Sequence, residues 1–330
     1  MNTRSVRLVP LAAAVSTALA SGCGTVAVTS AAQPPEEPDI TVAALPAVDL
    51  AGLYVAQDQG LFARQGLHVM IRKISSSEAI IADQLKGQVD ISAGSYVPYI
   101  SAQTAGARFR ILAEASILEP NTRELVTSAD SPITTVGGLA GKKIGVNGTN
   151  SIGTLLISLL LSEHGVSPRK VTFVTDDAGF PAMPGQLQHG AWSAAFLAEP
   201  YITFAGEEYG ERVLADLDQG DAVEFPIDGY VATQAWAERY PKTAAAFVRA
   251  IEQGQALADA DPNAVQAAMA KYDDLPIQVT AAIALPAYPT GPVNQTRIQR
   301  VAQAMLEFGM LSSRYAAEIE RGDLVASMVG

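Results

Sequence analysis

The chain has 330 residues, 48% of them hydrophobic and 17% charged, with a formal net charge of -12. That length exceeds what one compact core holds and implies two domains, while the apolar fraction excludes a disordered chain. The acidic balance leaves no basic stripe to neutralise phosphates, which argues against nucleic acid as a partner, and the single cysteine excludes a disulfide framework or thiolate metal cluster.

At the start, Arg4 and Arg7 precede an apolar run over residues 8–20. A run that short does not span a bilayer about 30 Å thick but suits an export signal. The following Ala20-Ser21-Gly22-Cys23 resembles a bacterial lipobox. The resemblance implies a lipoprotein signal peptide over 1–22 and a lipid anchor on Cys23, the first residue of the mature chain. Removing the signal takes away two Arg and no acid, leaving a net charge of -14. A surface that acidic does not hold to anionic lipid by itself, so the acyl chains must do so. Residues 23–38 are polar and lack apolar periodicity, reading as a flexible tether with a reach of about 20 Å. The expected location is exported, on the outer face of the cytoplasmic membrane or facing a periplasm.

From Asp39 onward, short β-branched runs alternate with amphipathic segments, the signature of α/β units on a parallel sheet. Strands are predicted over 40–45, 67–74, 89–92 and 109–115. Between them, Asp49 reads as the N-cap of a helix stopped by Gly60, Ser75-Ser76-Ser77-Glu78 as a capping box for a helix ending at Gly87, and Ser95 as the cap of a helix ending near Gly106. The same grammar restarts at Lys143, with strands over 144–146, 171–175 and 194–197 and helices over 152–164 and 181–189. Segments 124–128 and 226–233 read as two strands crossing between halves. The tail reads as helices over 241–260, 262–271, 294–308 and 314–328. The organisation predicted is lobe 1 from 39–127 plus 232–330, with lobe 2, residues 128–231, inserted.

Several motifs, in order, carry a resemblance. Leu53-Tyr54-Val55-Ala56, Gly60-Leu61-Phe62-Ala63 and Gly66-Leu67-His68-Val69 are followed by Gly87-Gln88-Val89-Asp90-Ile91, Asp130-Ser131-Pro132-Ile133, Leu139-Ala140-Gly141-Lys142-Lys143-Ile144-Gly145-Val146, Glu199-Pro200-Tyr201 and Phe308-Gly309-Met310-Leu311. Together they resemble the nitrate/sulfonate/taurine and thiamine-precursor substrate-binding proteins of ABC importers. The resemblance implies two similar α/β lobes joined by two crossover strands, of periplasmic-binding-protein type II build, with a ligand cleft that closes by hinge motion. It also implies an ABC permease in the membrane as partner, and places the Glu199-Pro200 corner at the cleft. The family's second-lobe Gly-x-x-Asp-Ala pattern has Ser193 in place of its acid, so no role for that acid carries over.

Ligands in such folds sit beyond the carboxyl ends of strands, where helix amino ends offer free N–H groups. Residues at those places are the candidates: Ser76, Ser77, Ser95 and Tyr96 from lobe 1, Asn150 and Ser151 from lobe 2, with Glu199 as acceptor for an amine or heterocycle N–H. Tyr201 and Tyr230 join Tyr96 as aromatic liners, ahead of Phe180 and Trp192. Asp176 and Asp177 end a lobe 2 strand and are secondary candidates; Lys73 is the one cation near the cleft loops. His68, His164 and His189 form no metal or catalytic constellation, with no second ligand at i+4 and no Asp or Cys partner nearby, and no cofactor is expected. The function expected is capture of a small-molecule ligand, a sulfonate- or nitrate-like anion or a vitamin-precursor heterocycle, by a monomer without catalysis. The alternatives are an enzyme of the same fold acting on a pyrimidine-type precursor, since related intracellular chains use a lysine-bound cofactor, and a surface receptor without transport.

Overall fold

The β-branched and small-residue runs form strands whose carboxyl ends feed directly into capped helices. The computed structural model describes residues 33–175, 178–272 and 276–329. The signal segment, Cys23, Asp176 and Asp177 therefore lie outside the described residues.

Lobe 1 begins with β1 (Asp39–Ala44), α1 (Ala51–Asp58), α2 (Leu61–Arg64), β2 (His68–Lys73), α3 (Ser77–Leu85), β3 (Ile91–Ser95), α4 (Tyr96–Thr104) and β4 (Phe109–Ile117). Lobe 2 follows with β5 (Arg123–Thr127), β6 (Lys143–Val146), α5 (Ile152–Glu163), β7 (Thr172–Thr175), α6 (Met183–Gln188), β8 (Ala194–Ala198), α7 (Tyr201–Tyr209) and β9 (Arg212–Asp216). The chain then returns to lobe 1 through β10 (Pro226–Thr233), α8 (Gln234–Arg239), α9 (Pro241–Ala260), α10 (Pro262–Tyr272), α11 (Ile277–Ala282), α12 (Gln295–Glu307), α13 (Ala316–Glu320) and α14 (Asp323–Val329). The first sheet runs β2-β1-β3-β10-β4 and the second β7-β6-β8-β5-β9.

Both sheets are mixed, which corrects the expectation of parallel ones. β1 pairs parallel with β2 and β3, and β6 with β7 and β8; β10 runs antiparallel between β3 and β4, and β5 antiparallel between β8 and β9. The reason is the double crossing. Each sheet receives a strand that arrives from the other lobe, and it enters from the opposite end. β5 lies wholly in the second sheet and β10 wholly in the first, so the crossings themselves are the loops 118–122 and 217–225 rather than strands.

The longest helix, α9, packs on α1 at very short range. A Cβ on Gly254 would strike the Gly52 carbonyl oxygen and lie 2.7 Å from the Ala56 Cβ, so only a glycine lets the two backbones meet. Phe247 of α9 stacks on Phe62 at 5.6 Å and takes Tyr230 of β10 edge-on at 5.7 Å, closing the lobe 1 core. Lobe 2 centres on α5, whose residues 152–161 are all buried, with Phe196 of β8 against Gly153. The tail helix predicted over 314–328 is broken: Gly322, at φ 78°, separates α13 from α14. Helix α7 and strand β9 carry no clear period in sequence and were not anticipated. Among the described residues no helix is long and apolar enough to cross a membrane.

Candidate functional site

The carboxyl ends of β1, β2, β6 and β8 face a seam between the lobes. Along it lies a cavity of about 320 Å³. Lobe 1 supplies Pro46 after β1 and Lys73, Ile74 and Ser75 after β2; lobe 2 supplies Ala178, Pro181, Tyr201 and Phe204. Tyr201 stacks on the buried Phe180 ring at 6.1 Å and 13°, which fixes its plane. The Lys73 stem lines the cavity while its Nζ donates to the Tyr272 carbonyl. A groove of about 500 Å³ lined by Asp39, Gln57, Phe62, His68 and Met70 opens beside the amino ends of β1 and β2, away from this seam.

The capping reading of the serine run needs a correction in register. Ser76, not Ser75, caps α3, accepting from the Ala79 N–H at 3.2 Å, while Ser75 lines the cavity. Ser77 is buried and accepts from the Ser95 N–H at 3.2 Å. Ser95 caps α4, accepting from Val97 N–H at 3.3 Å. Tyr96 is fully buried and lies against Gly229 of β10, where a Cβ would stand 2.6 Å from the ring. Burial, with Glu114 and Asp228 nearby, pushes its hydroxyl well above the ordinary tyrosine range. Tyr230 is likewise enclosed, against Phe247. Neither tyrosine is among the cavity walls; Tyr201 is.

Asn150 accepts from the Ser101 hydroxyl of α4 at 3.1 Å, a bond between lobes. Ser151 is the N-cap residue of α5, 2% exposed, yet its hydroxyl caps no N–H and has no partner. Glu199 is also a bridge between lobes. Its carbonyl accepts from the Val48 N–H at 3.1 Å. Its carboxylate accepts from Thr203 N–H at 3.1 Å, Thr203 hydroxyl at 2.8 Å and Ala284 N–H at 3.4 Å. Burial outweighs these donors and lifts its pKa to about 7.

Arg123, which the sequence reading gives no role, is central to the seam. Arg123, 1% exposed, opens β5 and reaches back into lobe 1, 2.8 Å from Asp49 and 3.4 Å from Asp228, with its guanidinium over the Phe196 ring at 5.5 Å. Asp49 is therefore no helix cap: it is buried, accepts from the Ser116 hydroxyl at 3.1 Å and pairs with Arg123. Burial first, then the Asp49 charge, raises Asp228 above the usual carboxylate range. Glu78, read as part of a capping box, instead points across the seam: a Cβ on Gly148 would lie 2.6 Å from its Oε1. Burial raises it despite its own N–H and that of Asn150. An arginine opening an apolar strand is a sequence signal that was available for Arg123; Glu78 offered none beyond its place in the first turn.

His68 does have a partner, Asp39 at 2.9 Å, but both are exposed. Among the described residues no group of three or more His, Cys, Asp or Glu is placed to hold a metal ion.

The family model described as NMT1/THI5 like matches residues 47–265, about two thirds of the chain and every strand from β2 to β10. The chain belongs to the NMT1/THI5-like family. This NMT1/THI5-like protein is 21% identical over 62% of its length to the Bacillus subtilis protein bearing the name binding protein YtlA, covering 61% of it. It is 24% identical over 64% of its length to the 4-amino-5-hydroxymethyl-2-methylpyrimidine phosphate synthase of Uromyces fabae, covering 63% of that chain. It thus spans about three fifths of the length of these curated relatives. The alkanesulfonate-binding protein of Xanthomonas axonopodis pv. citri, solved bound to MOPS, superposes with a TM-score of 0.73 at 17% identity, over 84% of this chain and 96% of that one. The likeness establishes the two-lobed binding-protein fold.

Proposed function

We propose that this NMT1/THI5-like protein captures a small organic solute between its lobes and passes it, chemically unchanged, to the permease of an ABC importer. The observation that carries the reading is the seam cavity of about 320 Å³ with walls from both lobes, at the lower end of the range for small-molecule sites. Its flat apolar walls, Pro46, Pro181, Tyr201 and Phe204, suit the body of such a solute. The names of the relatives point to binding and to an alkanesulfonate. Export on a lipid anchor at Cys23, a monomeric state, and hinge closure about the two crossing loops belong to the same proposal.

The test is a thermal-shift panel of sulfonates, nitrate, pyrimidines and flavins. A micromolar ligand at about a hundred times its Kd adds roughly 2.7 kcal/mol, a rise of several degrees in Tm. Tyr201→Ala removes one wall and is expected to weaken the same solute about tenfold or more. A panel that leaves Tm unmoved, or a solute recovered chemically altered, overturns the reading. The latter outcome favours a second reading, supported by the synthase relative, in which the cleft acts on a pyrimidine.

A further inference from the structure

We propose that Arg300 and Glu163 together clamp the return crossing, residues 217–225, and thereby set how readily the two lobes part. Arg300 is a positioning residue: it acts through the crossing and not on the solute. The inference rests on the lobe closure in the reading above, and not on which solute is bound. Arg300 lies on α12, which is fastened to the lobe 1 sheet one turn earlier. There Arg297 gives two bonds of 2.9 Å to the buried Glu114 carboxylate of β4, and the Asn294 N–H gives a third, also at 2.9 Å. From that fixed arm the Arg300 guanidinium reaches the crossing. It donates to the carbonyls of Asp221 at 3.0 Å, Val223 at 2.9 Å and Glu224 at 3.0 Å, and lies over the buried Phe225 ring at 5.1 Å.

The same short stretch is held from the other side. Glu163, the last residue of α5 in lobe 2, accepts from the Asp221 N–H at 2.9 Å, and a Cβ on Gly220 would collide with its carboxylate. Asp221 is thus bonded to lobe 1 through its carbonyl and to lobe 2 through its N–H. Glu224 stands at φ 51°, a left-handed conformation that a non-glycine residue keeps only where its surroundings impose it. Arg300 holds its carbonyl, and the Asp218 carboxylate holds its N–H at 3.0 Å. A hinge works because a few loop residues absorb a change in φ and ψ. Residues 221–224 cannot do so while both grips hold, so parting the lobes requires one grip to let go. Bonds from a charged donor are stronger than neutral ones, which makes that release costly. The two grips act in series, as one tie with the loop in its middle.

Hydrogen exchange of the unliganded chain tests this without a solute. The buried Val48 N–H has the Glu199 carbonyl as its partner across the seam, so its exchange rate follows the population of parted lobes. Val42 of β1 and Ile144 of β6, each flanked by a strand on both sides, report instead the opening of their own sheets. Arg300→Met keeps an apolar stem over Phe225 and removes the three bonds; it is expected to speed exchange at Val48 at least about tenfold and to leave Val42 and Ile144 unchanged. Glu163→Ala, at an exposed position, is expected to keep the fold and to have the same effect. The double variant is expected to go no further than either single one, since a tie in series breaks only once. An unchanged Val48 rate, equal acceleration at all three amides, or single effects that multiply in the double variant overturns the proposal. The solute-binding reading falls separately, by failure of the thermal-shift panel.

Discussion

Replacing Glu199 by Gln isolates one buried acid at the contact between the lobes. Its carboxyl is 3% exposed and burial raises its pKa from 4.5 to about 7, so the folded state binds its proton more tightly than the unfolded one. A carboxyl raised in this way contributes stability that is fully present below about pH 4.5 and lost as pH rises through about 7. Integrating the linkage from pH 5 to pH 8 gives a loss of about 2.5 kcal/mol through this one group. Glutamine resembles the protonated form and does not titrate. It also turns an amide nitrogen toward a donor, Thr203 or Ala284, at a pH-independent cost of about 1 kcal/mol. The assay is urea unfolding of both proteins at several pH values, read as the difference between them, because Glu211, raised to about 8 by burial, imposes the same trend on both; Glu124, raised to about 8 chiefly by burial but also by the Glu199 charge, is relieved in the variant and widens the difference in the same direction. The wild type is expected to exceed Glu199→Gln in stability at pH 5 and to fall below it by pH 8. Parallel pH profiles for the two proteins refute the argument that Glu199 is held against its solvation.

Arg123→Met leaves Asp49 and Asp228 buried without their cation, and a loss of about 3–5 kcal/mol in unfolding free energy is expected at pH 8. Asp228, with Tyr96 and Tyr230 also facing it, then takes up a proton more readily, so the deficit shrinks as pH falls to 5; a deficit independent of pH counts against the assignment. Gly254→Ala forces a methyl against the Gly52 carbonyl, and a drop of about 1–3 kcal/mol with no change in solute preference is expected from urea unfolding; a neutral result places the α1–α9 contact elsewhere.

The elements most legible in the sequence are those whose pattern is local. α9 spans the residues its period predicts, and Ser76, Ser95 and Asn294 cap their helices because a short polar side chain before an apolar run has few other uses. Strand direction is not local: nothing in Arg123–Thr127 or Pro226–Thr233 says that each is an antiparallel guest between parallel neighbours. The helices of the tail lose accuracy where Gly322 interrupts a continuous period, a position readable only as a weak stop. At the site, the loops were foreseen but not the atoms. Ser75, Ser151 and Tyr201 are where strand ends and helix starts put them, whereas Tyr230 of β10 turns into the lobe 1 core because a β-strand sends alternate residues to opposite faces and no period fixes which face is the seam, and Tyr96, opening α4, is buried against Gly229. Asp49 illustrates the same limit: an aspartate before a helix has an evident local role, and a distant arginine overrides it.

The polar stitching of the seam bears on how the lobes would move. The bonds between the lobes, Ser101 to Asn150 and Val48 and Ala284 to Glu199, would exchange for water on opening, at a net cost of about 0.5–1.5 kcal/mol each. The bonds at the crossing differ in kind. Arg123 follows the loop 118–122, Asp228 follows the loop 217–225, and both meet Asp49 in a space no solvent enters. Separating these charges exposes each to an environment that cannot solvate it until the whole crossing unfolds, so they act as a fixed point. A seam that yields at its rim and holds at its crossing favours rotation about the crossing over separation of the lobes. Under the proposed solute-binding role, rotation of that kind would part the cavity walls Ser75 and Tyr201 and leave Arg123 in place, so the free energy of solute binding would go to closing the lobes and not to rebuilding the crossing.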